Sequence, residues 1–243
     1  MRKFTFGRII FLFFNIFLIP GALKAFFRNI RLLFSYAGIL KYSSLGVVIG
    51  TIVYFLFLRK NNFFLIFEHE LTHTLVALIF HRKIREFVVT EEKGGKVIHS
   101  GKFGGVLADD LITLAPYFLP TFTLIISLIY SFFSSELKHR YSSYVYFLIG
   151  FTFAFHFFTS IKEIIANWTN KSFTNVSGKN VYTDIGKVGR FYASFVVLSL
   201  TLILHSLIII LMLDNYCGIY KFLELLFTVS KDFYYSLFLK IIR

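Results

Sequence analysis

One cysteine, Cys217, is all that 243 residues contain. No internal disulfide and no cysteine-based metal cluster can form from it. Acidic residues are also scarce, 13 against 26 Lys and Arg, leaving a net charge of +13. That excess is not gathered into a basic domain, and no nucleic-acid-binding motif accompanies it, so nucleic acid is set aside as a partner. The basic residues fall between apolar runs, where their stems snorkel and their heads meet anionic lipid. No polar linker is long enough to separate two domains and no internal repeat is visible, so one polytopic unit is expected. The N-terminal stretch MRKFTFGRIIFLFFNIFLIPGALKAFF has the basic start and apolar core of a signal peptide. It lacks a small-x-small cleavage site, so a retained first helix is expected.

What is abundant is apolar surface: 56% of residues are hydrophobic, 20% are aromatic and the mean hydropathy is +0.70. A soluble domain of this length has no use for so much. Several runs approach the roughly 20 residues needed to cross a bilayer. They predict spans near 8–27, 43–58, 63–80, 107–133, 143–161 and 190–213. The fold class expected is therefore an all-α polytopic membrane protein of about six transmembrane helices, with a small β-hairpin after the third. The hairpin is read from EFVVT and KVIHS, residues 86–90 and 96–100, with a tight turn drawn from EEKGGK between them. The last residues alternate apolar and charged positions and predict an interfacial amphipathic helix. The chain then divides into N-terminal transmembrane helices (1–62), a transmembrane core (63–213) and an amphipathic C-terminal segment (214–243). Lys and Arg favour the loops away from the termini, which by the positive-inside rule puts both termini outside. A multi-pass protein of a bacterial cell membrane is expected.

Within the third predicted span lies His69-Glu70-Leu71-Thr72-His73. On a helix, residues four apart share a face, one turn from each other. Two imidazoles so placed can bind one tetrahedral Zn²⁺. Glu70 lies within reach of a metal-bound water without being obliged to coordinate, which suits a general base. Ionisable groups at membrane depth are costly and mark functional cavities by default. Glu68 reads as a supporting or lipid-boundary residue, and His81 as a cation at a helix C-terminus. Asp109 and Asp110 read as carboxylates at the start of the fourth helix. Lys162 and Glu163 read as the end of the fifth. Pro116 and Pro120 should loosen the fourth helix.

An H-E-x-x-H motif inside a transmembrane helix resembles the site-2 protease family, intramembrane zinc metalloproteases. VVTEEKGGKVIHS falls where that family has β-structure engaging extended substrate. LAPYFLP, residues 114–120, resembles the small-residue and proline segment of the helix that follows. The resemblance covers roughly residues 60–190. It implies a carboxylate as third metal ligand, set in that family within Leu-Asp-Gly on a later helix. That triplet is absent, and its nearest echo is YTDIGK, with Asp184 before Gly186.

A zinc site of this kind needs three protein ligands and one open position. Asp184 has the chemistry, but it can reach the metal only if residues 180–190 dip inward as a broken segment, which is tolerated where backbone lines a cavity. His156, mid-span on the fifth helix, is the rival ligand, or a group that polarises the scissile carbonyl. The expected function is hydrolysis of peptide bonds in membrane-embedded or juxtamembrane substrates, membrane proteins or peptides, beside the lipid bilayer. Zn²⁺ would be the cofactor and Glu70 the base. The alternatives are a non-catalytic scaffold that keeps the fold, and an ion or proton transporter.

Overall fold

The computed structural model describes residues 5–59, 62–90, 94–169, 172–174, 180–213 and 217–242. The helices are α1 (Phe6–Phe34), α2 (Ala37–Val53), α3 (Asn62–Ile79), α4 (Gly105–Phe118), α5 (Thr121–Ser131), α6 (Ser135–Thr169), α7 (Asp184–Val188), α8 (Arg190–Met212) and α9 (Cys217–Ile242). The last turns of α2 widen into a π-helical stretch, Tyr54–Leu58. Strands β1 (Lys83–Thr90) and β2 (Gly94–Ser100) form one antiparallel hairpin, and β3 (Ser172–Thr174) pairs with β4 (Asn180–Tyr182) in another. The all-α polytopic class with a small β-hairpin holds.

Four helices are long and apolar enough to cross a membrane: α1, α2 with its π-helical end, α6 and α8. The α4–α5 pair makes a fifth span if its two bent halves are counted together. The sixth expected span is α3, whose Glu68, His69, Glu70 and His73 dilute its apolar character. The expected continuous helix over 107–133 breaks into α4 and α5, which meet at 89°. The break falls at Leu119 and Pro120, and proline cannot donate the backbone bond that would carry the helix through.

The hairpin follows α3, as expected, but its glycines do another job. Gly94 pairs with Thr90 and Gly95 with Val89, so both belong to β2, and the turn itself, residues 91–93, lies outside the described residues. Both strands pack on α3.

Two contacts close the bundle. On α2, Ser43, Gly46 and Gly50 lie against Phe147, Gly150, Phe151 and Ala154 of α6. A Cβ on Gly46 would run into the Phe147 carbonyl oxygen, and one on Gly150 into that of Ser43. Small residues at this spacing let backbones touch where lipid supplies no hydrophobic drive between helices. The second contact is ionic. Arg8 of α1 is fully buried and donates through Nε to Asp110 Oδ2 at 2.6 Å and through Nη2 to the Val188 carbonyl at 2.8 Å. Its guanidinium also lies 4.8 Å above the Tyr192 ring. One cation thus joins α1, α4, α7 and α8. Asp110, expected at a helix start, is instead the buried counter-ion of a residue 102 positions earlier. Around this pair Leu12, Ala77, Ile112, Leu114, Ile185, Val188 and Val196 form one buried cluster. Helix α9 lies antiparallel along α1, where Gly21 N donates to Ser230 Oγ at 3.0 Å and Tyr234 donates to the Ile16 carbonyl at 2.8 Å.

Gly46→Leu is expected to force α2 from α6 and to lower stability by about 1–3 kcal/mol. Thermal unfolding of the purified protein in detergent measures this, and an unchanged midpoint would contradict the close contact.

Candidate metal centre

Helix α3 carries His69 and His73 on one face, and their Nε2 atoms stand 3.0 Å apart. Asp184, the first residue of α7, brings its Oδ2 to 3.2 Å from His69 Nε2 and 3.4 Å from His73 Nε2. These three atoms form a near-equilateral triangle from segments 115 residues apart. Ligands 2.0–2.1 Å from a tetrahedral Zn²⁺ stand roughly 3.3 Å from one another. The donor set therefore fits such an ion without rearrangement.

The rings are also oriented for it. His69 Nδ1 meets Glu163 Oε2 at 2.5 Å, and His73 Nδ1 meets the Ile112 carbonyl at 2.6 Å. An ionised carboxylate and a carbonyl can only accept, so each Nδ1 carries a hydrogen and each Nε2 keeps its lone pair for a metal. Asp184 is tied by its other oxygen, Oδ1, to Lys187 Nζ at 2.6 Å. Burial opposes ionisation of Asp184. Close contact with the His69 and His73 rings and with the Lys187 ammonium outweighs burial and holds its carboxyl well below the usual carboxylate range.

Local chain chemistry explains how Asp184 gets there. Thr183 caps α7, its hydroxyl accepting from Gly186 N at 3.2 Å, and the helix ends at Gly189 with φ +106°, a value glycine adopts freely. At its far end α7 offers the Val188 carbonyl to Arg8. Residues 184–188 thus bring Asp184 to the two histidines as a short, capped and anchored helix.

His156 does not join the triangle. It lies in a second buried cluster on the other side of α3, with Nδ1 3.1 Å from Glu68 Oε1. Thr159 donates to Glu68 Oε2 at 3.1 Å, and Ser160 donates to the Pro116 carbonyl at 3.1 Å. The two carboxylates of the motif helix therefore have different settings. Glu68 is enclosed by α6, whereas Glu70 opens onto a cavity of about 650 Å³ shared with His69, His73, Asp184 and Tyr117. Strand β2 roofs that cavity. A Cβ on Gly95 would strike the Glu70 side chain and Ile66, so the strand passes over Glu70 closely because this residue is glycine.

A family model described as Peptidase M50B-like matches residues 42–214, from within α2 to just past the end of α8. The chain belongs to that family. It is a site-2 protease family, and the M50B-like region holds every residue of the triangle and its two hydrogen-bonding supports. Helices α1 and α9 of this M50B-like protein lie outside the matched region. Comparison with curated proteins and with solved structures gives no match.

Three site residues were missed from sequence. Glu163, expected at a helix end, lies inside α6 and supports His69. Its signal was an acidic residue two turns beyond His156 on a helix that the apolar run alone makes too short. Gly95, expected in the turn, belongs to β2. Tyr117 gave no signal beyond its place between Pro116 and Pro120.

Asp184→Ala is expected to remove bound divalent metal, and His156→Ala to keep it, by elemental analysis of the purified variants. Full occupancy in the first, or loss in the second, would reverse the assignment. Glu163→Gln is expected to weaken metal binding about 10–100-fold, measured by competition with a chelator.

Proposed function

We propose that the chain is an intramembrane zinc metallopeptidase that hydrolyses peptide bonds of membrane-embedded or juxtamembrane substrates. The observation that carries this reading is the His69–His73–Asp184 triangle, set beside Glu70 in one cavity. Family membership supports it.

His69 Nε2, His73 Nε2 and Asp184 Oδ2 would hold the ion, with Glu163 and the Ile112 carbonyl fixing the rings. Bound there, Zn²⁺ supplies Lewis acidity and lowers the pKa of a coordinated water. Glu70 accepts the proton of the attacking water. The water oxygen bonds to the scissile carbonyl carbon, the C–N bond breaks, and Glu70 returns the proton to the leaving amine nitrogen.

Strand β2 gives the substrate a place to lie. Among the described residues β2 pairs only with β1, so its other edge has backbone groups to offer. Gly95, Lys96 and Val97 line the cavity. An extended segment adding to that edge gains backbone hydrogen bonds without a sequence requirement. Helical substrate must unwind first, because its peptide bonds are covered and already bonded.

Glu70→Gln is expected to bind metal as the wild type does and to lose cleavage, about 10²–10⁴-fold in kcat. The measurement uses casein and apolar fluorogenic peptides with protein in detergent or liposomes. Cleavage surviving in this variant at the wild-type rate would sink the assignment of the base. Absence of metal-dependent cleavage by wild type on these and on reconstituted single-span substrates would sink the proteolytic reading.

A further inference from the structure

A charge that appears on the scissile carbonyl oxygen during hydrolysis needs a donor, and most of the donor groups lining the cavity are already drawn toward an acceptor. Lys187 is held by Asp184, and Lys96 Nζ pairs with Glu86 at 2.9 Å. Thr113 donates to the Asp109 carbonyl at 2.6 Å and Asn167 to the Glu163 carbonyl at 2.8 Å. Tyr117 is different. Its side chain is 3% exposed, and its buried hydroxyl has no hydrogen-bond partner among the described residues. Leaving a buried hydroxyl unpaired costs about 1–3 kcal/mol, so its retention calls for an explanation.

Position supplies one. The Tyr117 ring packs edge-on against the His69 ring, with centroids 5.9 Å apart, and walls the metal cavity. Asp184, Glu163 and Glu70, the carboxylates of the site, line the same cavity. The ring also walls a second cavity of about 380 Å³ between α6 and α8, which is largely apolar. There Ser160 is committed to Pro116, His156 to Glu68, and His205 Nδ1 to the Thr201 carbonyl at 2.7 Å. Placement on α4 is secured by the same turns that present the Ile112 carbonyl to His73.

We propose that Tyr117 is a catalytic residue whose hydroxyl donates a hydrogen bond to the scissile carbonyl oxygen as that oxygen becomes negative. This rests on the proteolytic reading above. As the water oxygen bonds to carbon, the carbonyl π pair moves onto oxygen, and the Tyr117 O–H hydrogen bond strengthens. When the C–N bond breaks the pair returns to the carbonyl, and the bond relaxes. Tyr117 keeps its proton throughout, and Glu70 alone carries one from water to amine. A donor aimed at charge present only in the transition state raises kcat and leaves substrate binding nearly unchanged. The role that sequence offered to His156 passes to a residue on α4.

Tyr117→Phe removes one oxygen and tests this directly. Metal content should equal that of wild type. Thermal stability should hold or rise, since no partner is lost; a fall would reveal a structural bond and count against the proposal. KM should stay within about 2-fold while kcat falls about 10²–10³-fold. A second readout needs no turnover. A phosphinic peptide, whose tetrahedral oxygens mimic the charged intermediate, should bind Tyr117→Phe more weakly by a similar factor. The matching ordinary peptide should bind Glu70→Gln and the Glu70→Gln/Tyr117→Phe double variant equally. Equal phosphinate affinity in wild type and Tyr117→Phe overturns the proposal. So does an unchanged kcat in a Tyr117→Phe protein whose wild type cleaves, and that result leaves the protease intact. A wild type that does not cleave defeats the proteolytic reading itself, and the role of Tyr117 with it.

Discussion

The meeting of Asp184 with the two histidines of α3 is the contact that the rest of the fold is arranged to maintain. Three electron-rich atoms within 3.4 Å of each other repel unless a cation sits among them or protons intervene. Holding them there takes support from several directions. Glu163 on α6 and the Ile112 carbonyl on α4 turn the rings, and Lys187 steadies the carboxylate. Arg8 on α1 fastens the far end of α7. Four helices and one short turn of helix thus converge on a point where an apolar bundle would otherwise have no reason to gather charge.

A division of labour between carboxylates follows. Glu70 and Glu68 are two residues apart, so a helix sends them to different sides. Glu70 reaches an open cavity, whereas Glu68 is enclosed by His156 and Thr159. Enclosure with full hydrogen bonding makes Glu68 a fastener between α3 and α6. Openness beneath a glycine roof leaves Glu70 facing the cavity that it shares with His69, His73 and Asp184. Neighbouring residues of one type acquire different chemistry from what surrounds them.

Legibility from sequence followed the range of the interaction. His69, Glu70 and His73 were readable because helical spacing is local, and the hairpin because strand alternation is local. Asp184 was readable only as an echo of a family pattern, and its depth problem was visible without its answer, a capped five-residue helix. Glu163, Tyr117 and the Arg8–Asp110 pair were not readable. Each acts across the chain, and nothing in the neighbouring residues records a partner 94 or 102 positions away. Asp110 was misread for the same reason: a carboxylate in the first turns of a helix has a sufficient local explanation, and a buried arginine from another helix supersedes it. The Gly46-x-x-x-Gly50 stripe was available to inspection but carries meaning only once α6 lies against it. The bend between α4 and α5 was announced by Pro116 and Pro120, though not which of them would break the run.

The reach of Arg8 bears on where this protein can be cut. Residues 42–214 match the family, yet the cation facing Asp110 and holding α7 comes from the eighth residue of the chain. A fragment trimmed to the homologous stretch would retain His69, His73 and Asp184 while exchanging an anchored aspartate helix for a loose one and leaving a submerged anion bereft of its counter-charge. Homology and packing have different borders here: the portion that matches the family is smaller than the portion joined by this one buried cation.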